Sequence, residues 1–135
     1  MRLVIDSNLV FSGVLKPNSV PGVVLGAWRA GHFDWISSAT QLGELKIALI
    51  RPYLLKKIAE GITPIESVLD EMREGCHWKT LVMPLSAVCR DPCDDYIFAL
   101  YNQGHADLIV SGDKDVLALK GSYPIITARE LIDRL

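Results

Sequence analysis

Acidic side chains stand in this sequence where metal-assisted phosphoryl chemistry would need them. Asp6 follows Leu3-Val4-Ile5, and Glu44 sits within Gly43-Glu44-Leu45. Asp91, Asp94 and Asp95 crowd the segment Cys89-Arg90-Asp91-Pro92-Cys93-Asp94-Asp95, and Asp113 and Asp115 follow Leu108-Ile109-Val110-Ser111-Gly112. Short apolar runs that empty into an acid suit parallel strands, whose carboxyl ends are where ligands bind in open α/β sheets. Carboxylates gathered at one such rim repel one another, and without cations some of them stay protonated. A divalent cation resolves the conflict, and an oxygen-only donor set selects a hard one, Mg²⁺ or Mn²⁺. The reaction that follows is phosphodiester hydrolysis. Plainer readings stand beside this one. Asp91 and Asp115 are turn formers, Asp94 or Asp95 is a helix cap, and Glu44 is by spacing equally a solvated helix position or a ligand. Asp6, at the end of a buried strand, shows no structural use in the sequence.

The elements that must position these acids alternate in type. Strands are expected at Leu3–Ile5, Phe33–Ile36, Thr80–Met83, Leu108–Val110 and Pro124–Ile126. Helices are expected after Pro17–Gly22 and ending at Gly31, from Ser37-Ser38-Ala39-Thr40 to an interruption at Arg51-Pro52, over Tyr53–Gly75, over Tyr96–Gln103, and after Thr127. Thr63-Pro64-Ile65-Glu66 has the pattern of a capping box. Alternating strands and helices predict one α/β domain over residues 1–135 with a mainly parallel sheet.

Composition limits the alternatives. The chain has 135 residues, half of them hydrophobic and 22% charged, with a formal net charge of −2. Such a chain buries a core without disulfide or metal staples. No run approaches the roughly eighteen apolar residues of a membrane span, and Asp6 interrupts the N-terminus too early for a secretory signal. A cytoplasmic location is expected. Three cysteines, Cys76, Cys89 and Cys93, read as free thiols rather than a disulfide framework. A slightly acidic protein does not grip nucleic acid by charge alone. Arg51, Lys56 and Lys57, with Arg90 and Lys114 beside the acids, are the cations placed to guide a phosphate backbone, or equally a solvated helix face. His32, His77 and His105 lie outside the acidic segments as turn or surface residues. Trp28, Trp35 and Trp78 read as core or interface aromatics.

The four acidic segments, in order, resemble the motifs of PIN-domain nucleases across essentially the whole chain. They are most similar to the bacterial branch of toxin components of toxin–antitoxin pairs, the relatives of VapC. The resemblance implies a Rossmann-like three-layer α/β/α sandwich with a five-stranded sheet and an Mg²⁺- or Mn²⁺-dependent endoribonuclease acting on RNA. It also implies a homodimer neutralised by a small antitoxin. Asp6, Glu44, Asp94 and Asp113 match the four family acids, as catalytic residues and metal ligands. Asp94 is taken over Asp95 on the Asp-Pro-x-Asp spacing. Asn8 and Ser111 match small polar residues that hold carboxylates or water, and Asp91, Asp95 and Asp115 are auxiliaries. The implied mechanism has Asp6, Asp94 and Asp113 holding one cation, Glu44 serving a second cation or orienting water, and products bearing a 5′-phosphate and a 3′-hydroxyl.

Two other readings fit parts of the pattern. An aspartyl-phosphate phosphotransferase or phosphatase also has an Asp at its first strand end, but Asn8 stands where an Asp-x-Asp site needs its second acid. A non-catalytic PIN-fold RNA-binding module would have lost a motif acid, and none is missing here.

Overall fold

The computed structural model describes residues 1–48 and 65–135. Five parallel strands form the sheet: β1 (Arg2–Ile5), β2 (Asp34–Ser37), β3 (His77–Trp78), β4 (Leu108–Val110) and β5 (Ile125–Ile126), in the order β3-β2-β1-β4-β5. β1 is central, and its Leu3, Val4 and Ile5 are wholly buried, as expected for a strand covered on both faces. Alternate side chains feed two cores. Leu3 and Ile5 pack with Trp35, Val110 and Ile126 on one side. Val4 packs with Ile36, Phe98, Ile109 and Ile125 on the other.

Helices cover both faces. α1 (Ser7–Leu15), α2 (Val20–Arg29), α3 (Ala39–Ala48), α4 (Ile65–Gly75) and α7 (Ala128–Arg134) contribute to the first core; α5 (Asp95–Gln103) and the short α6 (Lys114–Leu117) contribute to the second. The expected three-layer architecture with a parallel sheet is therefore present. Local signals explain the helix starts. Ser19 caps α2 by accepting from the Gly22 amide at 3.2 Å, with Pro21 in the first turn. Thr127 and Glu130 form a reciprocal capping box on α7. The chain leaves α2 through Gly31, whose φ of 82° suits glycine. α1 and α2 meet at 97°, and among the described residues no single helix is long and apolar enough to cross a membrane.

One expectation needs correction. The third strand is His77–Trp78, not Thr80–Met83. Strand pairing follows α4 immediately and ends after the Lys79 amide donates to the Ser37 carbonyl at 2.9 Å. The apolar run beyond pairs with no strand among the described residues, and Val82 and Met83 are about 70% exposed. Gln103 holds that segment instead, its Oε1 accepting from the Val82 amide at 2.7 Å. Trp28 and Trp35 are buried and meet edge to face at 5.0 Å, whereas Trp78 is 41% exposed at the sheet edge, which leaves the interface half of its expectation open. The Thr63-Pro64 start of the expected capping box, the Arg51-Pro52 interruption, and Arg51, Lys56 and Lys57 lie outside the described residues.

Candidate active site

The carboxyl ends of β1 and β4 set the site. Asp6 leaves β1 at the N-cap of α1, where its Oδ1 accepts from the Asn8 amide at 3.2 Å. It therefore has the structural use that the sequence did not reveal. Its Oδ2 accepts from Ser111 Oγ at 2.7 Å, across from the end of β4. Ser111 in turn accepts from the Asp113 amide at 3.0 Å, and Asp113 caps α6 through the Asp115 amide at 2.8 Å. One buried serine thus locks the first acid to the loop that carries the fourth. Asp6 and Asp113 line a cleft of about 330 Å³ together with Asn8 and Gly112. Asn8 presents an exposed side chain, and Asp115 is half-buried on α6.

The third acidic segment separates its members by what they bind. Asp91 caps the 3₁₀ turn Pro92–Asp94 through the Cys93 amide at 3.0 Å. Asp95 is buried and turns inward, its Oδ1 accepting from the amides of Val88 at 3.0 Å and Cys89 at 2.8 Å. Asp94 stands at the N-cap position of α5 but makes no side-chain cap bond. It faces the other acids instead. Burial, followed by the charges of Asp6, Asp113, Asp91 and Glu44, pushes the Asp94 carboxyl up to about 7. Burial raises Asp6 above the usual carboxylate range too, offset in part by Ser111 and Asn8 and aided by Asp113.

Glu44 approaches from α3. Burial raises its carboxyl, opposed by the nearby Tyr96 hydroxyl and reinforced by Asp6 and Asp91. Its Oε1 is buried without a hydrogen-bond partner. The charges of Asp6, Glu44 and Asp113 thus all reach Asp94, whereas Asp95 turns to hold the preceding loop. Among the described residues, none of the four pairs with a Lys, Arg or His. His32, His77 and His105 are all exposed away from the rim.

The donor set fits a hard divalent cation. It is all oxygen, it carries an orphaned buried carboxylate oxygen, and burial together with neighbouring charge raises the pKa of Asp6, Glu44 and Asp94. Among the described residues, no group of three or more acidic, His or Cys side chains stands close enough to hold a metal ion. Sequence reading missed Ser7, Gln41 and Tyr96, which lie buried beneath the acids. Only their positions beside Asp6, Glu44 and Asp94 could have singled them out.

A family model described as PIN domain matches residues 2–115. An uncharacterized protein of Methanocaldococcus jannaschii is 25% identical over 126 residues, covering 89% of this chain and 76% of that protein. No solved structure matches the chain significantly.

Proposed function

The chain belongs to the PIN domain family, whose members are generally nucleases that use divalent metals, and on that premise we propose that it is an Mg²⁺- or Mn²⁺-dependent endoribonuclease. The observation that carries this reading is the crowding of Asp6, Glu44, Asp94 and Asp113 at the carboxyl end of the sheet without a described basic partner. Acids whose pKa values are raised by burial and by one another in a cleft are candidates for cation ligands.

Asp6, Asp94 and Asp113 would hold the cation, with Glu44 holding a second cation or orienting the attacking water. The bound cation supplies a lowered pKa for water and a counter-charge for the phosphoryl group as it is attacked. Ser111 keeps Asp6 fixed, so that its carboxylate does not have to reorganise. Exposed Arg90 and Lys114 flank the acids and offer contacts to neighbouring phosphates. Attack by water with the 3′-oxygen as leaving group, as the family resemblance implies, would leave a 5′-phosphate and a 3′-hydroxyl.

The test is cleavage of end-labelled single-stranded RNA with Mn²⁺ or Mg²⁺, against EDTA, by wild type and Asp6→Asn. Metal-dependent cleavage that is lost in the variant supports the reading. Cleavage that survives both EDTA and the substitution overturns it. The toxin role, a small antitoxin partner and a homodimer form the finer part of the proposal, supported by the similarity of the acidic motifs to VapC relatives. Growth arrest on expression of wild type but not Asp6→Asn is the result expected of a toxin.

A further inference from the structure

Ser111 ties Asp6 to the loop that carries Asp113, but Glu44 arrives on a separate element whose apolar grip is slight. Of residues 39–47 in α3, only Leu45 is a fully buried hydrophobic, with Leu42 partly buried against the same core. Apolar contact is non-directional, so it does not by itself fix how such a helix is rotated about its axis. The buried face of α3 carries a polar side chain as well: Gln41 is 0% exposed. An amide buried this deeply is costly unless its hydrogen-bonding groups are met.

The amide is met at the carboxyl ends of two strands. Ser37, which ends β2 and is itself wholly buried, donates through Oγ to Gln41 Oε1 at 2.6 Å. Gln41 Nε2 donates to the carbonyl of Ile5, which ends β1, and at 3.4 Å to Ser7 Oγ. A carbonyl can only accept, so the Ile5 bond fixes which end of the amide faces which strand. The paired residues of β1 and β2 are Arg2 with Asp34 and Leu3 with Trp35. Two residues farther on, the same register sets Ile5 beside Ser37, and there the Gln41 amide bridges the two strand ends. Ile5 and Ser7 are the chain neighbours of Asp6, and Glu44 follows Gln41 by three residues. That spacing is about 4.5 Å along the helix, on the same side.

We infer that Gln41 is a positioning residue: its amide fastens α3 to the residues on either side of Asp6 and so sets Glu44 against the Asp6–Ser111–Asp113 unit at the cation site. That Glu44 serves a cation rests on the nuclease reading; the bridge itself does not. A residue that orients a ligand from behind typically changes metal affinity or activity by about 10- to 100-fold when removed.

Gln41→Met keeps an unbranched side chain of similar length and removes the bonds to Ser37, Ile5 and Ser7. Calorimetric titration with Mn²⁺ should show affinity about tenfold weaker than wild type. Ser37→Ala, which takes away only the bond to Oε1, should weaken it by a smaller factor. In a Glu44→Gln background, Gln41→Met should cause no further loss, because it acts through Glu44. Leu131→Ala, a core truncation on α7, lowers stability too but should leave Mn²⁺ affinity unchanged. In RNA cleavage, Gln41→Met should lower kcat and leave KM for RNA unchanged, since the amide is buried away from substrate. Wild-type Mn²⁺ affinity in folded Gln41→Met overturns the inference, as do a further loss in the Glu44→Gln background and an equal loss in Leu131→Ala. Should Gln41→Met fail to fold, Ser37→Ala decides: weakened Mn²⁺ binding upholds the inference and wild-type affinity overturns it. A wild type that binds Mn²⁺, loses affinity on Gln41→Met and cleaves no RNA overturns the nuclease reading and leaves the inference standing. A wild type that binds no Mn²⁺ overturns both.

Discussion

Asp94 and Asp95 are chemically identical neighbours placed in opposite service. Asp95 satisfies two backbone amides of the preceding loop, whereas Asp94 has no cap bond and is loaded with the repulsion of four other acids. Their replacements should diverge accordingly. Asp95→Ala leaves the Val88 and Cys89 amides without their acceptor and should destabilise the protein by about 1–3 kcal/mol in denaturant unfolding. Asp94→Asn removes a charge that the folded state disfavours above pH 7. It should raise the stability of the metal-free protein at pH 8 while abolishing cleavage. Such a trade of stability for function is common where a site concentrates like charge. If Asp94→Asn is destabilised at pH 8 and Asp95→Ala is not, the two assignments are reversed.

At the scale of elements, the packing of α1 against α2 fixes how β1 and Asp6 meet the rest of the first core. The turn between these helices brings the backbone of Lys16 and Pro17 so close to Gly22 that a side chain would strike the Pro17 carbonyl. Gly22→Ala should therefore cost about 1–3 kcal/mol through forced backbone movement, read as a lower denaturant midpoint with an unchanged slope. What the sequence made legible follows the same logic of local determination. β1 and β4 were plain because they are buried on both faces and read as uninterrupted Leu-Val-Ile and Leu-Ile-Val. β3 was misplaced because it is a two-residue edge strand with both side chains exposed, so its place is set by pairing with β2 rather than by its own hydropathy. Asp6 and Asp113 stood out by following short apolar strands, whereas Glu44 was by spacing equally a solvated helix position. The direction each acid faces could not be read, because Asp95 turns inward for backbone amides contributed seven and six residues upstream, and Tyr96 meets Ser7 across 89 residues of chain.

For the molecule as a whole, the site makes folding depend on pH and on cations together. Burial, with neighbouring acids adding to it, raises Asp6, Glu44 and Asp94 above their ordinary pKa values, and Asp94 reaches about 7. The folded protein thus holds protons that the unfolded chain has released once pH exceeds about 4. By linkage this contribution is fully present below the unfolded pKa values and is lost as pH rises toward 7. The metal-free melting temperature, as far as these three acids set it, should therefore fall between about pH 4 and pH 7 and level off above. A cation that binds the ionised acids in the folded state reverses the loss. At a free Mn²⁺ concentration one hundred times its dissociation constant it adds about 2.7 kcal/mol. Melting followed with and without Mn²⁺ should show the larger upward shift at pH 8, where the acids are ionised, and a smaller one near pH 5, where protons compete for the same oxygens. Asp94→Asn should flatten the metal-free pH dependence and shrink the Mn²⁺ shift together, since one carboxylate contributes to both. A Mn²⁺ shift that is equal at the two pH values, or that survives in Asp94→Asn, would place cation binding somewhere other than this rim.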